Sequence, residues 1–178
     1  PGIRHDIGIA MKHFLRPIEI ERGQYQRLVH IARRCIEAAR IKASDGTWIF
    51  MPDGGGRYGP NMYTRYLCYL VEGAGRLVDP EELAAACEYI LSRQREDGLI
   101  PNRVAADGTA IYVVNENNQA LNYPPADNAQ FAVKLVKAYV DLTGDWEFFA
   151  RWSNVLMDAM ESVTLSTHHL VEIASAHP

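Results

Sequence analysis

Asp127 and Asn128 stand at the start of an apolar run, "ADNAQFAVKLVKAYVDL", that follows a long polar stretch. A carboxylate beside a carboxamide at a helix start does one of two jobs. It satisfies the free N–H groups of the first turn, and Asp127 with Gln130 has the D-x-x-Q spacing of a capping box. Alternatively it holds a ligand, the carboxylate accepting hydrogen bonds and the amide both donating and accepting. Five more carboxylates lie between the apolar runs: Asp45, Asp53, Asp97, Asp107 and Glu116. Carboxylates in pairs serve as general acid and base. However, Asp45, Asp97 and Asp107 each precede a glycine and Asp53 precedes a glycine run, which is turn chemistry. Asp127 is the carboxylate that stands out.

Other constellations are weaker. "GGGR" at 54–57 lacks the Lys-Ser/Thr of a phosphate loop and a buried strand before it. His168, His169 and His177 have no carboxylate or cysteine at ligand spacing, so no metal site is expected. No cofactor is implied. Cys35, Cys68 and Cys87 sit inside apolar helical patterns and read as buried thiols, which fits a cytoplasmic, reducing setting. With 18 Lys and Arg against 22 Asp and Glu, net charge −4, and no basic run beyond two residues, a nucleic-acid partner is excluded. No uncharged apolar stretch is long enough to span a membrane.

The elements that position these residues read as five helices. The first covers roughly 21–42, with Leu28, Ile31, Ala32, Cys35, Ile36 and Ala39 at helical spacing. The second covers about 61–77 and the third about 80–95, opened by "DPEEL" as an Asp79–Glu82 capping box with Pro80 behind the cap. The fourth is the Asp127 helix, ended by Gly144. Asp145 caps the fifth, whose expected core is Trp146, Phe149, Leu156, Met160 and Val163. Short and long links alternate. Starts near 21, 80 and 146, spaced by 59 and 66 residues, suggest repeated helical hairpins with the long links on one edge. Helices two and four then form the inner layer. "RVAADGTAIYVV" in the last long link suits a small β-hairpin around Asp107-Gly108.

In this order, "YTRYLCYLVEGAGRL", "QREDGLIPN" and "PPADNAQFAVKLVKAYVDLTGDWEF" resemble the six-hairpin glycosidases, the group that includes glucoamylases, glycogen-debranching glucosidases and trehalases. The likeness covers roughly residues 21–165. It implies an all-α fold, an α/α toroid of which this chain supplies about two and a half hairpins. Residues 1–20 are then a leading segment and 21–178 part of a single toroid domain. It also implies a glycoside hydrolase acting on oligosaccharides or glucosides, with a sugar site at the N-termini of the inner helices. In that family an Arg-Asp pair often opens an inner helix, whereas here the pair is Arg65-Tyr66. The catalytic acid and base, on the same analogy, come from hairpins beyond Pro178, so none is assigned here. Sugar C–H faces stack on aromatic rings. Trp48, Tyr63, Arg65, Asp127 and Asn128 are therefore the expected substrate contacts, with Phe50, Tyr58, Tyr112 and Tyr123 as further loop aromatics. An arc of hairpins leaves apolar edges, so the chain is expected to be part of a larger protein, meeting the rest of the toroid or a copy of itself. The alternative is a helical scaffold that binds carbohydrate or protein without turnover.

Overall fold

A computed structural model describes residues 21–54, 56–112, 127–163, 165, 167 and 168. Backbone contacts divide the chain into two units, 1–32 and 33–178. Helix α1 is Arg22–Ala39. Within the first unit its Tyr25, Leu28 and Ile31 are exposed, and within the second Cys35 is exposed while Ile36 is buried.

The second unit corrects the fold expected from the sequence. The described residues form five α-helices and two small antiparallel sheets, a mixed α/β content and not an all-α toroid. The strands come from segments read as helix ends or loops. Helix α1 stops at Ala39, and β1 (Arg40–Lys42) turns back through "ASDGT" onto β2 (Trp48–Phe50), with Ile41 opposite Ile49. The turn is closed by the Ala43 amide on the Thr47 carbonyl, 2.8 Å, with Gly46 at φ +89°. Strand β3 (Asn61–Tyr63) occupies what reads as the start of the second helix. It pairs with β4 (Arg103–Ala105), which pairs with β5 (Ala110–Ile111) across the Asp107-Gly108 turn. That hairpin follows the sequence expectation. The strands exist because their backbones satisfy each other while neighbouring side chains such as Ile49 and Phe50, or Met62 and Tyr63, are buried on both faces. Ile49, Met62 and Val104 are fully buried, so the sheets build the core and do not merely cover it.

The other helices are α2 (Thr64–Ala74), α3 (Pro80–Leu91), α4 (Asn128–Thr143) and α5 (Trp146–Glu161). A 3-10 turn, Gly75–Leu77, extends α2. In α3 the Asp79 carboxylate accepts from the Glu81 amide, 2.8 Å, but Glu82 turns to the Arg40 guanidinium and does not complete a capping box. Burial along α3 is extensive, with Leu83, Ala86, Cys87, Tyr89, Ile90 and Leu91 inside, so the inner position is not reserved for helices two and four.

Helices α2 and α4 share the largest helix–helix interface. Arg65 meets Asp127, Tyr69 meets Phe131 at 5.5 Å between ring centres, and Glu72 meets Lys134 at 2.8 Å. Each pair advances in the same chain direction, so the two helices run parallel. Gly144, at φ +76°, ends α4, and Asp145 caps α5 by accepting from the Phe148 amide, 2.9 Å. Phe148 is the largest fully buried side chain, its ring 4.5 Å from that of Tyr139. Trp146, Phe149 and Met160, read from the sequence as core, are exposed instead, and Phe148 and Ala159 are buried beside Leu156. Among the described residues no helix is long and apolar enough to cross a membrane.

Candidate functional site

The starts of α2 and α4 are held together by three consecutive carbonyls. The Ile100 oxygen accepts from the Asn128 side-chain amide at 3.2 Å. The Pro101 oxygen accepts from the Thr64 hydroxyl at 2.5 Å, and the Asn102 oxygen from the Thr64 amide at 3.1 Å. Thr64 and Asn128 are both buried, so these bonds satisfy groups that water cannot reach. The same stretch explains "QREDG". Arg95 and Asp97 pair within the turn, and that hydrogen bond holds the Asp97 carboxyl below its usual range. Gly98 sits at φ +86°, where an added Cβ would lie 2.4 Å from the Asp158 carbonyl oxygen. The Gln94 amide donates to the Gly98 and Val155 carbonyls, tying the turn to α5.

Above this clip lies the surface group. Arg65 and Asp127 form an ion pair with 47% and 40% of their side chains exposed. Asp127 makes no side-chain cap bond to α4, so the expected capping box with Gln130 is not formed, and its carboxylate serves Arg65 instead. The Arg65 guanidinium also lies 5.1 Å from the centre of the Phe131 ring. The residues on either side of Thr64 and Arg65, Tyr63 and Tyr66, join Tyr58 in a three-ring cluster, with centres 5.9, 5.7 and 6.4 Å apart. Tyr66 is 42% exposed. Tyr63 is buried, and its hydroxyl accepts from the buried Arg103 guanidinium at 2.8 Å. Arg103 stands opposite Tyr63 in the β3–β4 register. It was not singled out from the sequence, and its only signal there was a cation inside an apolar strand.

The structure brings Tyr63, Arg65, Asp127 and Asn128 to one end of the α2–α4 pair, in different roles. Arg65 and Asp127 are open to solvent, whereas Asn128 and Tyr63 are buried and position the others. Trp48 is engaged elsewhere, on the two-stranded sheet, with the Arg40 guanidinium 3.9 Å over its ring and Lys42 at 5.1 Å. Tyr112 donates its hydroxyl to the Arg93 carbonyl, 2.9 Å, and Phe50 is core. Glu116, Tyr123, His169 and His177 lie outside the described residues.

The remaining carboxylates act in turns. Asp45 and Asp107 accept from the amides of Thr47 and Thr109, both at 2.9 Å. Those backbone bonds are the main reason their carboxyls are held below the usual range. Asp53 accepts from the Arg57 amide at 3.3 Å. Among the described residues no three His, Cys, Asp or Glu side chains gather as a ligand set for a metal. What the site offers is a charged acceptor and a planar donor side by side, against the Phe131 ring, on a backbone clip that fixes both helix starts. No family model, no curated protein and no solved structure matches the chain.

Proposed function

We propose that this surface binds an oligosaccharide or a glucoside, and that the chain serves a glycoside hydrolase that transfers the glycosyl group to water. The observation that carries the reading is the half-exposed Arg65–Asp127 pair, with the exposed Tyr66 the next residue along α2. A sugar hydroxyl both donates and accepts, and a carboxylate next to a guanidinium meets both needs at once. The C–H face of the ring needs an apolar platform, which Tyr66 supplies and which Tyr58 and Tyr63 hold in place. Substrate binding is therefore assigned to Arg65, Asp127 and Tyr66, with Asn128, Tyr63 and Arg103 as positioning residues.

Glycoside hydrolysis needs one carboxyl that keeps its proton near neutral pH. Asp45, Asp97 and Asp107 are all shifted the other way. These three are ionised near neutral pH and have no proton to donate, so the acid of the reaction is another group. This favours, as a second reading, a surface that binds carbohydrate without turnover. A cytoplasmic setting belongs to the same proposal, since Cys35 is an exposed free thiol and Cys68 and Cys87 are buried ones.

The test is calorimetric titration with a panel of neutral gluco-oligosaccharides and aryl glucosides, with chromatography of the same mixtures for products. Tyr66→Ala and Arg65→Gln should each weaken binding about tenfold or more while Tyr25→Ala leaves it unchanged. Saccharide binding without products selects the second reading. Binding that ignores both substitutions rejects the site.

A further inference from the structure

Helix α5 carries two apolar faces. One is used, since Phe148, Leu156 and Ala159 are buried in the core. The other is open: Trp146 is 70% exposed, Phe149 43%, Met157 60% and Met160 43%. At about 100° per residue these four fall within an arc of roughly 80°, with Ser153 among them. They are also symmetric in sequence about Ser153. Trp146 and Met160 each stand seven residues from it, and Phe149 and Met157 each stand four.

We propose that this stripe is a homodimer interface in which α5 packs antiparallel on α5 of a second copy, with the two-fold axis at Ser153. A two-fold requires a self-complementary patch. Antiparallel docking about Ser153 provides one: each Trp146 meets the partner copy's thioether at position 160, and each Phe149 meets the one at position 157. Thioether–aromatic contacts are favourable, and methionine adapts its shape to a ring. Ser153 is small, so the helices can approach closely at the axis. The open side-chain surface amounts to about 400 Å² per copy, taking roughly 200 Å² as the full area of a large side chain. A symmetric pair then buries about 800 Å² from these side chains alone, near the low end for a specific contact, which makes the dimer weak and concentration-dependent.

The experiment uses the whole chain. Sedimentation velocity between roughly 1 and 200 µM should show a monomer–dimer equilibrium. Met157→Glu should weaken it at least about tenfold, and the near-isosteric Met157→Gln gives the same reading should the first variant fold poorly by circular dichroism. Register is read separately in a Cys35→Ser background. Two helices about 8–10 Å apart, each with Cα atoms at about 2.3 Å radius, bring facing Cα atoms to disulfide range. Ser153→Cys should therefore cross-link at least about tenfold faster than Lys137→Cys on the exposed side of α4. A monomer at all concentrations, a dimer indifferent to Met157, or equal cross-linking at both positions overturns the proposal. So does a monomer that loses stability with Met157→Gln, because the chain itself would then cover the stripe.

Discussion

Replacing Asp127 by Asn separates a structural role from a binding one. Asn occupies a helix start about as well as Asp, and the Asp127 side chain makes no cap bond to lose. What disappears is the charge facing Arg65. Both partners are near half-exposed, so water screens them, and such a pair contributes about 0.2–1 kcal/mol. For a chain of this size that is a fall in Tm of at most about 2–4 °C. Binding is affected more. A hydrogen bond from a sugar hydroxyl to a charged acceptor is worth about 1.5–3 kcal/mol, so affinity should drop about ten- to a hundredfold. The contrast is Asn128→Ala, which strands the buried Ile100 carbonyl at a cost of about 1–3 kcal/mol and lowers Tm by roughly 2–10 °C. Scanning calorimetry and saccharide titration on the same two variants provide the comparison. Should Asp127→Asn lower Tm by clearly more than about 4 °C while affinity stays unchanged, the Arg65–Asp127 pair is a clamp between helices and the binding argument fails.

Thr64→Val removes the donor to the Pro101 carbonyl in a buried place, and thermal denaturation should show a loss of about 1–3 kcal/mol. Gly98→Ala should cost at least as much, because positive φ and the Asp158 carbonyl both oppose a Cβ, and amide exchange should rise at the C-terminal end of α5. A thiol reagent should modify Cys35 at once in the native chain, and Cys68 and Cys87 only on unfolding. Burial pushes the Cys68 thiol up to about 11 from an ordinary 9.0. The unfolded chain thus loses that proton first, and stability should decline as pH rises above about 9, measurable as a falling urea midpoint.

The helices were legible because three-four periodicity and cap residues act locally: Asp79, Gly144 and Asp145 sit where their chemistry suggests. The sheets were not, except for the hairpin at Asp107-Gly108. Strand β1 continues a helical pattern at Arg40, and β3 is three residues long. Only pairing partners, 6 to 10 residues away for β1 and 40 to 44 for β3, make them strands, and propensity does not contain that information. The site was half legible. Arg65 and Asp127 were identifiable by type and place. Their mutual pairing, the burial of Asn128 and the cation Arg103 beneath Tyr63 follow from tertiary contacts. On α5 the period was right but the phase was not: the helix has apolar residues around much of its surface, and a stripe alone does not say which side faces in.

The seam between α2 and α4 also encodes direction. Read from the clipped end, α2 presents plus, ring, minus at Arg65, Tyr69 and Glu72, and α4 presents minus, ring, plus at Asp127, Phe131 and Lys134. Reversing one helix would keep the rings together but set Arg65 against Lys134 and Glu72 against Asp127. The aromatic layer holds the helices together whichever way they run, and the charges at either end reject the wrong orientation. Exchanging Glu72 with Lys134 would preserve the attraction at that rung but leave α2 positive and α4 negative at both ends, so the reversed arrangement would attract as well as the native one and the charges would no longer tell the two helices which way to point.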